Sequence, residues 1–446
     1  MKILITLSII ASLAFQLYGQ QQPKAFGKIS PAYSGYGFTL EPQTSYSWKF
    51  AQSFTSVSFT LSPSQDLKGA FLISEKDTFF LSTDSHSSQD TVLLTNLIVF
   101  NKAVDNLKFH SGNIEGAIKI HLHKVATLDP VKKKDQKRLN AREDIDNCSA
   151  PTTIPPSIWR EGLTPPPLLP EKTDVKHIII HHSAGSNNNT NYVEVVRNIY
   201  VFHTSPVSMG GRGYNDIGYN FLIAADGTIF QGRDDQGLAE KDNILGAHMC
   251  AKNRNTIGIC LLGTFIDVMP TQATFNSLYD LVSWKAHKEN IDPFGKLGHP
   301  FEKPGRPLQN IAGHRQGCGV NDTSAANQSY TECPGDSVAY FLPAIRAEVF
   351  RRINLCTLNG TLGENHKHLS LTTYPNPSVG HFTLELQTVP ATIKILDVHG
   401  RLYQTITSES ISTKVQTKDL SPGIYIIEVI QSEMGSVFLI QSVMDN

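Results

Sequence analysis

The sequence predicts a multidomain protein, with a central α/β domain (a mixed sheet with flanking helices) between an N-terminal all-β domain and a small C-terminal β-sandwich. Length gives room for about three domains of ~150 residues, since the chain has 446 residues. Both ends have the texture of short alternating strands, whereas residues 174–356 mix strand-like apolar runs with helical spacing. A composition of 40% hydrophobic and 18% charged residues excludes a disordered chain, a collagen-like rod or a coiled coil. The net charge of −1 removes the global basic field that nucleic-acid binding would need.

Residues 1–19 read as a signal peptide. Lys2 is followed by an apolar run over residues 3–15, shorter than the ~20 residues of a membrane span. The mature protein is expected to carry no membrane span and to reach a compartment where disulfides are permitted. Residues 20–126 form the all-β domain of unknown role. Residues 53–61 and 117–123 alternate polar and apolar, the period of half-buried strands. His121 and His123 share a face with Lys119, which reads as a solvated strand face. Residues 127–173 read as a linker. They hold the run Lys132-Lys133-Lys134-Asp135-Gln136-Lys137-Arg138 and then seven prolines between positions 151 and 170, which favour extended backbone over regular elements.

In the central domain, residues 175–181 and 256–262 are compact apolar strands. Residues 192–202 have helical spacing, and Phe275, Leu278, Tyr279, Val282 and Ala286 fall on one helical face. Residues 219–223 and 228–230 flank Ala225-Asp226-Gly227, a hairpin signal. A closing helix is expected over about 336–353, kinked or started by Pro343. After a second linker, 357–373, strand-like runs at 381–386, 391–398, 423–429 and 436–440 fit a small sandwich over 374–446.

Three separated motifs carry the chemistry. They are Ile178-Ile179-Ile180-His181-His182-Ser183-Ala184-Gly185, Tyr214-Asn215-Asp216-Ile217-Gly218-Tyr219, and Gly313-His314-Arg315-Gln316 with Thr331-Glu332-Cys333-Pro334-Gly335 after it. Two imidazoles and a thiolate suit Zn²⁺, and three protein ligands leave a fourth position for water. Neighbours on a strand face opposite ways, so only one of His181 and His182 can point into a given site, and parity alone does not choose.

Residues 174–353 resemble the zinc-dependent N-acetylmuramoyl-L-alanine amidases, in particular their peptidoglycan recognition protein branch. The matching blocks run in order: Ile179-Ile180-His181-His182-Ser183, Asn215-Asp216-Ile217-Gly218-Tyr219, the segment 226–233, Gly246-Ala247-His248, residues 255–259, Gly313-His314-Arg315, and Thr331 to Gly335. The resemblance implies zinc ligands His181, His314 and Cys333. It implies that Tyr219 contacts a zinc-bound water and that Thr331 assists near the metal. His299, in Gly298-His299-Pro300, is a rival ligand ranked below His314 because no arginine follows it. His248 and Arg233 are expected substrate contacts. The implied reaction is hydrolysis of the amide between N-acetylmuramic acid and L-alanine of peptidoglycan. Family members without the cysteine bind peptidoglycan and do not cut it; this chain keeps all three ligands. A different class, an adhesive surface protein, would make the β-domains the working part.

This sequence also departs from the family pattern. Tyr214 stands where the family usually has tryptophan. Eighteen residues separate His314 from Cys333, more than is usual. Asp234-Asp235-Gln236 matches neither pattern that reads the third stem residue, so diaminopimelate and lysine walls are not distinguished.

With Cys333 set aside, Cys148, Cys250, Cys260, Cys318 and Cys356 remain, an odd number, so at least one is unpaired. Cys260, inside an apolar strand, is expected to be a buried free thiol. A bridge from Cys148 to Cys356 would staple the domain's ends and is one of several possible pairings. Residues 374–446 resemble the C-terminal sorting domain of type IX secretion, through Tyr374-Pro375-Asn376-Pro377, Ile395 to Arg401, and Leu420-Ser421-Pro422-Gly423-Ile424-Tyr425. That resemblance implies the type IX machinery as a partner and a secreted or outer-surface location. The competing reading is an ordinary or glycan-binding β-sandwich.

Overall fold

The computed structural model describes residues 24–443 apart from 31, 75–76, 85–91, 129–148, 239–241, 250–252, 299–306, 318–330, 362–371, 387–388, 398–400, 422 and 432–434. The expected signal peptide, the Lys132–Arg138 run, Cys148, Cys250, His299, Cys318 and residues 320–330 therefore lie outside the described residues.

The N-terminal part is an antiparallel sheet. Its strands are β1 (Lys24–Ser30), β2 (Tyr33–Leu40), β3 (Ser45–Leu61), β4 (Phe71–Ser74), β5 (Asp77–Phe80), β6 (Leu93–Leu94), β7 (Ile98–His110) and β8 (Gly116–His123). They are ordered β1-β2-β8-β3-β7-β4-β5, with β6 on β3. The long β3 changes register between Lys49 and Ser56, so it pairs along its length with β7 and in its second half also with β8. Its core is aromatic: Trp48 lies 4.3 Å from Phe38 and 5.2 Å from Phe109, ring to ring.

The expected solvated face of β8 is a buried one. His121 and His123 are 1% and 2% exposed. His121 bonds Tyr33 Oη and Thr60 Oγ1, both at 2.8 Å. Its ring lies against Gly210 of the central domain, where a Cβ would come within 2.2 Å of it. Period-two patterning reports only that a strand has two faces, and here a second domain covers the face that solvent would otherwise wet.

The central part contains α1 (Pro156–Trp159), β9 (His177–His182), α2 (Tyr192–Thr204), β10 (Phe221–Ile223), β11 (Ile229–Gln231), β12 (Thr256–Leu261) and α3 (Gln272–Lys288). It continues with β13 (Lys296–Leu297), β14 (Leu308–Gln309), β15 (Ile311–Gly313), α4 (His314–Gly317) and α5 (Asp336–Thr361). The main sheet runs β11-β10-β12-β9-β15. The hairpin partner β11 is antiparallel and the other neighbours are parallel. Parallel strands are covered on both faces, which is why residues 178–180 and 256–261 are apolar without alternation. Ile178, Ile180, Ile257 and Ile259 pack with Leu278 and Val282 of α3 and with α5. Leu222 and Cys260 face the opposite layer, with Val196 and Ile199 of α2 and with Leu94, Leu97 and Val99 of the N-terminal sheet.

Two expectations change. The proline-rich stretch is not wholly irregular: Pro156 opens the single turn α1, where its fixed φ suits a helix start. Trp159 of that turn is fully buried and donates Nε1–H to Gln231 O at 2.7 Å. Pro343 lies inside α5, which runs past the expected end near 353. Cys260 is a buried free thiol. Cys356 is in a disulfide whose partner lies outside the described residues.

The C-terminal part comprises β16 (Thr372–Val379), β17 (His381–Glu385), β18 (Ala391–Asp397), β19 (Leu402–Ser408), β20 (Ser412–Gln416), β21 (Gly423–Gln431) and β22 (Gly435–Val443), ordered β19-β18-β21-β22-β16-β17-β20. β16 pairs antiparallel with β17 and meets β22 through Ser378 and Val443, joining two groups of strands. Phe382, Leu384, Ile393, Ile395, Val415 and Ile427 form its core. No helix among the described residues is long and apolar enough to cross a membrane.

Burial pulls His121 down to about 3, with His123 and Lys119 adding repulsion, and pulls His123 down to about 4. An unfolded chain binds protons at both positions below pH ~6.5, where the folded chain does not. Stability is therefore full above that pH and falls as pH drops from 6.5 towards 4. The effect approaches about 1.4 kcal/mol for each unit separating the two pKa values. Thermal melts across this range should show the loss, and His121→Gln should flatten it.

Candidate metal centre

The site is built from adjacent strand ends. Parallel register pairs Gly313 of β15 with Ile180 of β9. The next residue on each strand, His314 and His181, therefore stand side by side, their rings 4.5 Å apart. On β9's other flank Cys260 pairs with His181. Cys333 arrives from the turn before α5, and its Sγ lies 3.6 Å from His181 Nδ1. The three ligand atoms all lie within 4.8 Å of one another, and the three residues are fully or almost fully buried.

Strand parity is settled by this register. His181 points into the cluster. His182 turns the other way: its Nδ1 accepts from Phe265 N at 3.3 Å, while its backbone N–H donates to Cys333 Sγ at 3.3 Å. Arg315 braces the same corner, its backbone N–H donating to Cys333 O at 2.8 Å and its guanidinium reaching Asp336 at 2.6 Å.

The donor set fits a divalent cation. Bonds of about 2.0–2.3 Å at tetrahedral angles place ligand atoms roughly 3.3–3.8 Å apart, and the sulfur-to-nitrogen distance of 3.6 Å here falls in that range. Burial pushes the Cys333 thiol up to about 12, against the His182 hydrogen bond and Arg315. A thiol held protonated at neutral pH is inert on its own; a cation is what would draw it into the thiolate form.

His248 is not where a groove contact would be. It is fully buried, with Nδ1 at 2.9 Å from His181 Nε2 and Nε2 at 3.2 Å from Thr256 Oγ1. It stands behind His181 and holds its ring. The space for it comes from Gly246 and Gly258, where a Cβ would sit 2.5 Å from the imidazole. Tyr219 is 4% exposed, its ring 5.3 Å from His181. Burial raises its hydroxyl well above the ordinary range, and the hydroxyl shares a hydrogen bond with the Cys260 thiol. Thr331 Oγ1 accepts from Cys333 N at 3.1 Å, shaping the ligand turn. Arg233 is half-buried beside Asp216, and its backbone N–H donates to Tyr219 O at 3.0 Å. It supports the Tyr219 strand end as well as any role in the cleft.

Sequence reasoning missed His203. On the last turn of α2, its Nδ1 accepts from Gly218 N at 2.9 Å and its ring lies 5.5 Å from those of Tyr214 and Tyr219. The available signal was a polar residue among the apolar positions of a helix.

A family model described as N-acetylmuramoyl-L-alanine amidase matches residues 171–336, and one described as a secretion system C-terminal sorting domain matches residues 372–438. The central domain is thus of the amidase class. The chain belongs to the peptidoglycan recognition protein family: it is 31% identical over 157 residues to a peptidoglycan recognition protein of Trichoplusia ni, covering 34% of this chain and 80% of the relative. It is 32% identical over 162 residues to peptidoglycan-recognition protein LE of Drosophila melanogaster, covering 35% of this chain but only 44% of that one. The chain spans about half the length of the first curated relatives it matches. The solved structure of Drosophila PGRP-LB is similar at 28% identity, over 42% of this chain and 89% of that one, with a TM-score of 0.30. The domain is of the peptidoglycan-binding, amidase type, and the sorting domain indicates type IX export to the cell surface or beyond.

A second partner that orients a ligating histidine typically contributes 10- to 100-fold in metal affinity. His248→Ala should therefore weaken zinc binding by roughly 10- to 100-fold, read by competition with a chromophoric chelator. Unchanged affinity would remove His248 from the support of His181.

Proposed function

We propose that residues 174–356 are a zinc-dependent N-acetylmuramoyl-L-alanine amidase, hydrolysing the amide between N-acetylmuramic acid and the L-alanine of the stem peptide. The observation that carries this reading is the convergence of His181, His314 and Cys333 within 4.8 Å, with the Tyr219 ring 5.3 Å from His181. Those three residues would hold the ion. Zinc in such a three-ligand site supplies a Lewis acid that makes water a nucleophile at neutral pH and polarises the scissile carbonyl.

The chain's own residues do the rest. Tyr219, with its hydroxyl held protonated by burial, would donate a hydrogen bond to the nucleophile or to the developing oxyanion. Thr331 fixes the turn that presents Cys333 and offers a second hydroxyl at the cleft. His248 holds the tautomer and angle of His181. The low accessibility of the site strengthens each of these contacts by excluding water. Binding of peptidoglycan without cleavage is the second reading. What favours the enzyme is that the cysteine and the tyrosine are both in place. A leader at 1–19, the sorting domain at 374–446 and the linkers between would deliver the hydrolase outside the cell.

Cys333→Ala should lose zinc and hydrolysis together, checked by metal analysis and by mass spectrometry of purified sacculi after digestion. Tyr219→Phe should keep its zinc while turnover falls by about 10²- to 10⁴-fold, the span of proton-transfer catalysis. A Cys333→Ala protein that still releases stem peptides at the normal rate would defeat the ligand assignment. Retained sacculus binding with no release by the unaltered chain would favour the second reading.

A further inference from the structure

We propose that the N-terminal β-sheet is an inhibitory cap, latched by Asp84 and Asn96 over the cleft that Tyr219 and His203 line beside the candidate metal ligands, and that substrate reaches the site only when this cap lifts. The inference rests on reading the cleft as the substrate site.

The space in front of Tyr219 and His203 is a cavity of ≈ 20 Å³, lined by Asp84, Asn96 and Leu97 of the N-terminal part against Ser183 and Ala184. That is room for about one water molecule, whereas sites for small organic ligands run to several hundred Å³. A muramyl peptide does not fit beside the cap.

The cap is fastened by polar contacts. Asp84 forms an ion pair with Arg212, their side chains 9% and 7% exposed. Asn96 Nδ2 donates to Ala184 O at 3.0 Å, two residues past the end of β9. The two latching residues are themselves tied together. Asp84 N–H donates to Leu94 O at 2.9 Å, Asn96 N–H donates to Ser82 O at 2.8 Å, and Thr83 bridges Thr95. They move as one small ladder.

Beneath the ladder Leu97 and Val99 join the buried cluster of Val195, Ile199 and Leu262, but the packing is incomplete. A second cavity of ≈ 200 Å³ lies beside that cluster, lined by Leu97, Val99, Tyr192, Phe265 and the loop after β9. Permanent cores close such voids. An interface with a void and a buried ion pair is one that can part, because the pair contributes little net stability but penalises a missing partner heavily. Closure is thus specific and reversible.

The test uses the full zinc-loaded chain and three readouts: binding of a soluble muramyl pentapeptide by calorimetry, hydrolysis of that peptide, and the rate at which a chelator strips the zinc. Asp84→Arg places like charges at the latch and should raise affinity and chelator rate by on the order of ten-fold. Asn96→Ala, which removes the bond to Ala184 O and the one Asn96 Oδ1 accepts from Ser82 N–H, should act in the same direction more weakly. Asp84→Arg with Arg212→Asp restores an ion pair and should return all readouts towards the unaltered protein. Unchanged or weaker binding and unchanged zinc loss in both single variants, each still melting cooperatively, would overturn the cap. Gained binding without cleavage would support the cap while removing the hydrolytic reading. Equal cleavage before and after unlatching would sink the cap and leave the amidase standing.

Discussion

The structure of the site depends on one register: β9 lies between β12 and β15, parallel to both, with Gly313 opposite Ile180. Parallel pairing fixes which residues share a level across the sheet. One step beyond the paired residues, His314 and His181 are level, and across the other edge Cys260 is level with His181. A slip of one residue would send His181 to the layer beneath α3 and α5. What prevents the slip is burial on both faces, since Ile178 and Ile180 are seated among the α3 and α5 side chains and cannot exchange places with Ile179 and His181. Only the third ligand lies outside this register, and Arg315 ties its turn to the strand end.

Much of the central domain was legible because its elements are locally consistent. The hairpin around Asp226, the helix face of Phe275 to Ala286 and the apolar strands each carry their own pattern. The ligand triad was legible as residue types, but its selection rested on family resemblance, because parity could not choose between His181 and His182. The deciding fact is long-range, namely which face of β9 the helices cover. His203 escaped notice, and His248 was read as a substrate contact, for the same reason. Each is a histidine whose meaning lies in a partner many residues away, His181 in one case and Gly218 in the other.

The face carrying His121 and His123 shows the opposite limit. Its alternation correctly signalled a strand, yet the polar half of the pattern met another domain instead of water. The histidines then needed partners of their own: Tyr33 and Thr60 for His121, and the Met209 backbone for His123. Strand β19 was invisible for a different reason: it is almost wholly exposed, so no apolar period marks it.

Gly258 offers a last consequence. It has no side chain, offers only its backbone to Asn220 and lies in the middle of β12, yet it leaves the hollow in which the His248 ring sits. A methyl group there would push the ring towards His181 and tilt a ligand that no residue 258 could ever touch. The sheet's least adorned position is therefore as exacting as any functional one. The chain's scope for neutral drift is narrowest where it displays no chemistry at all.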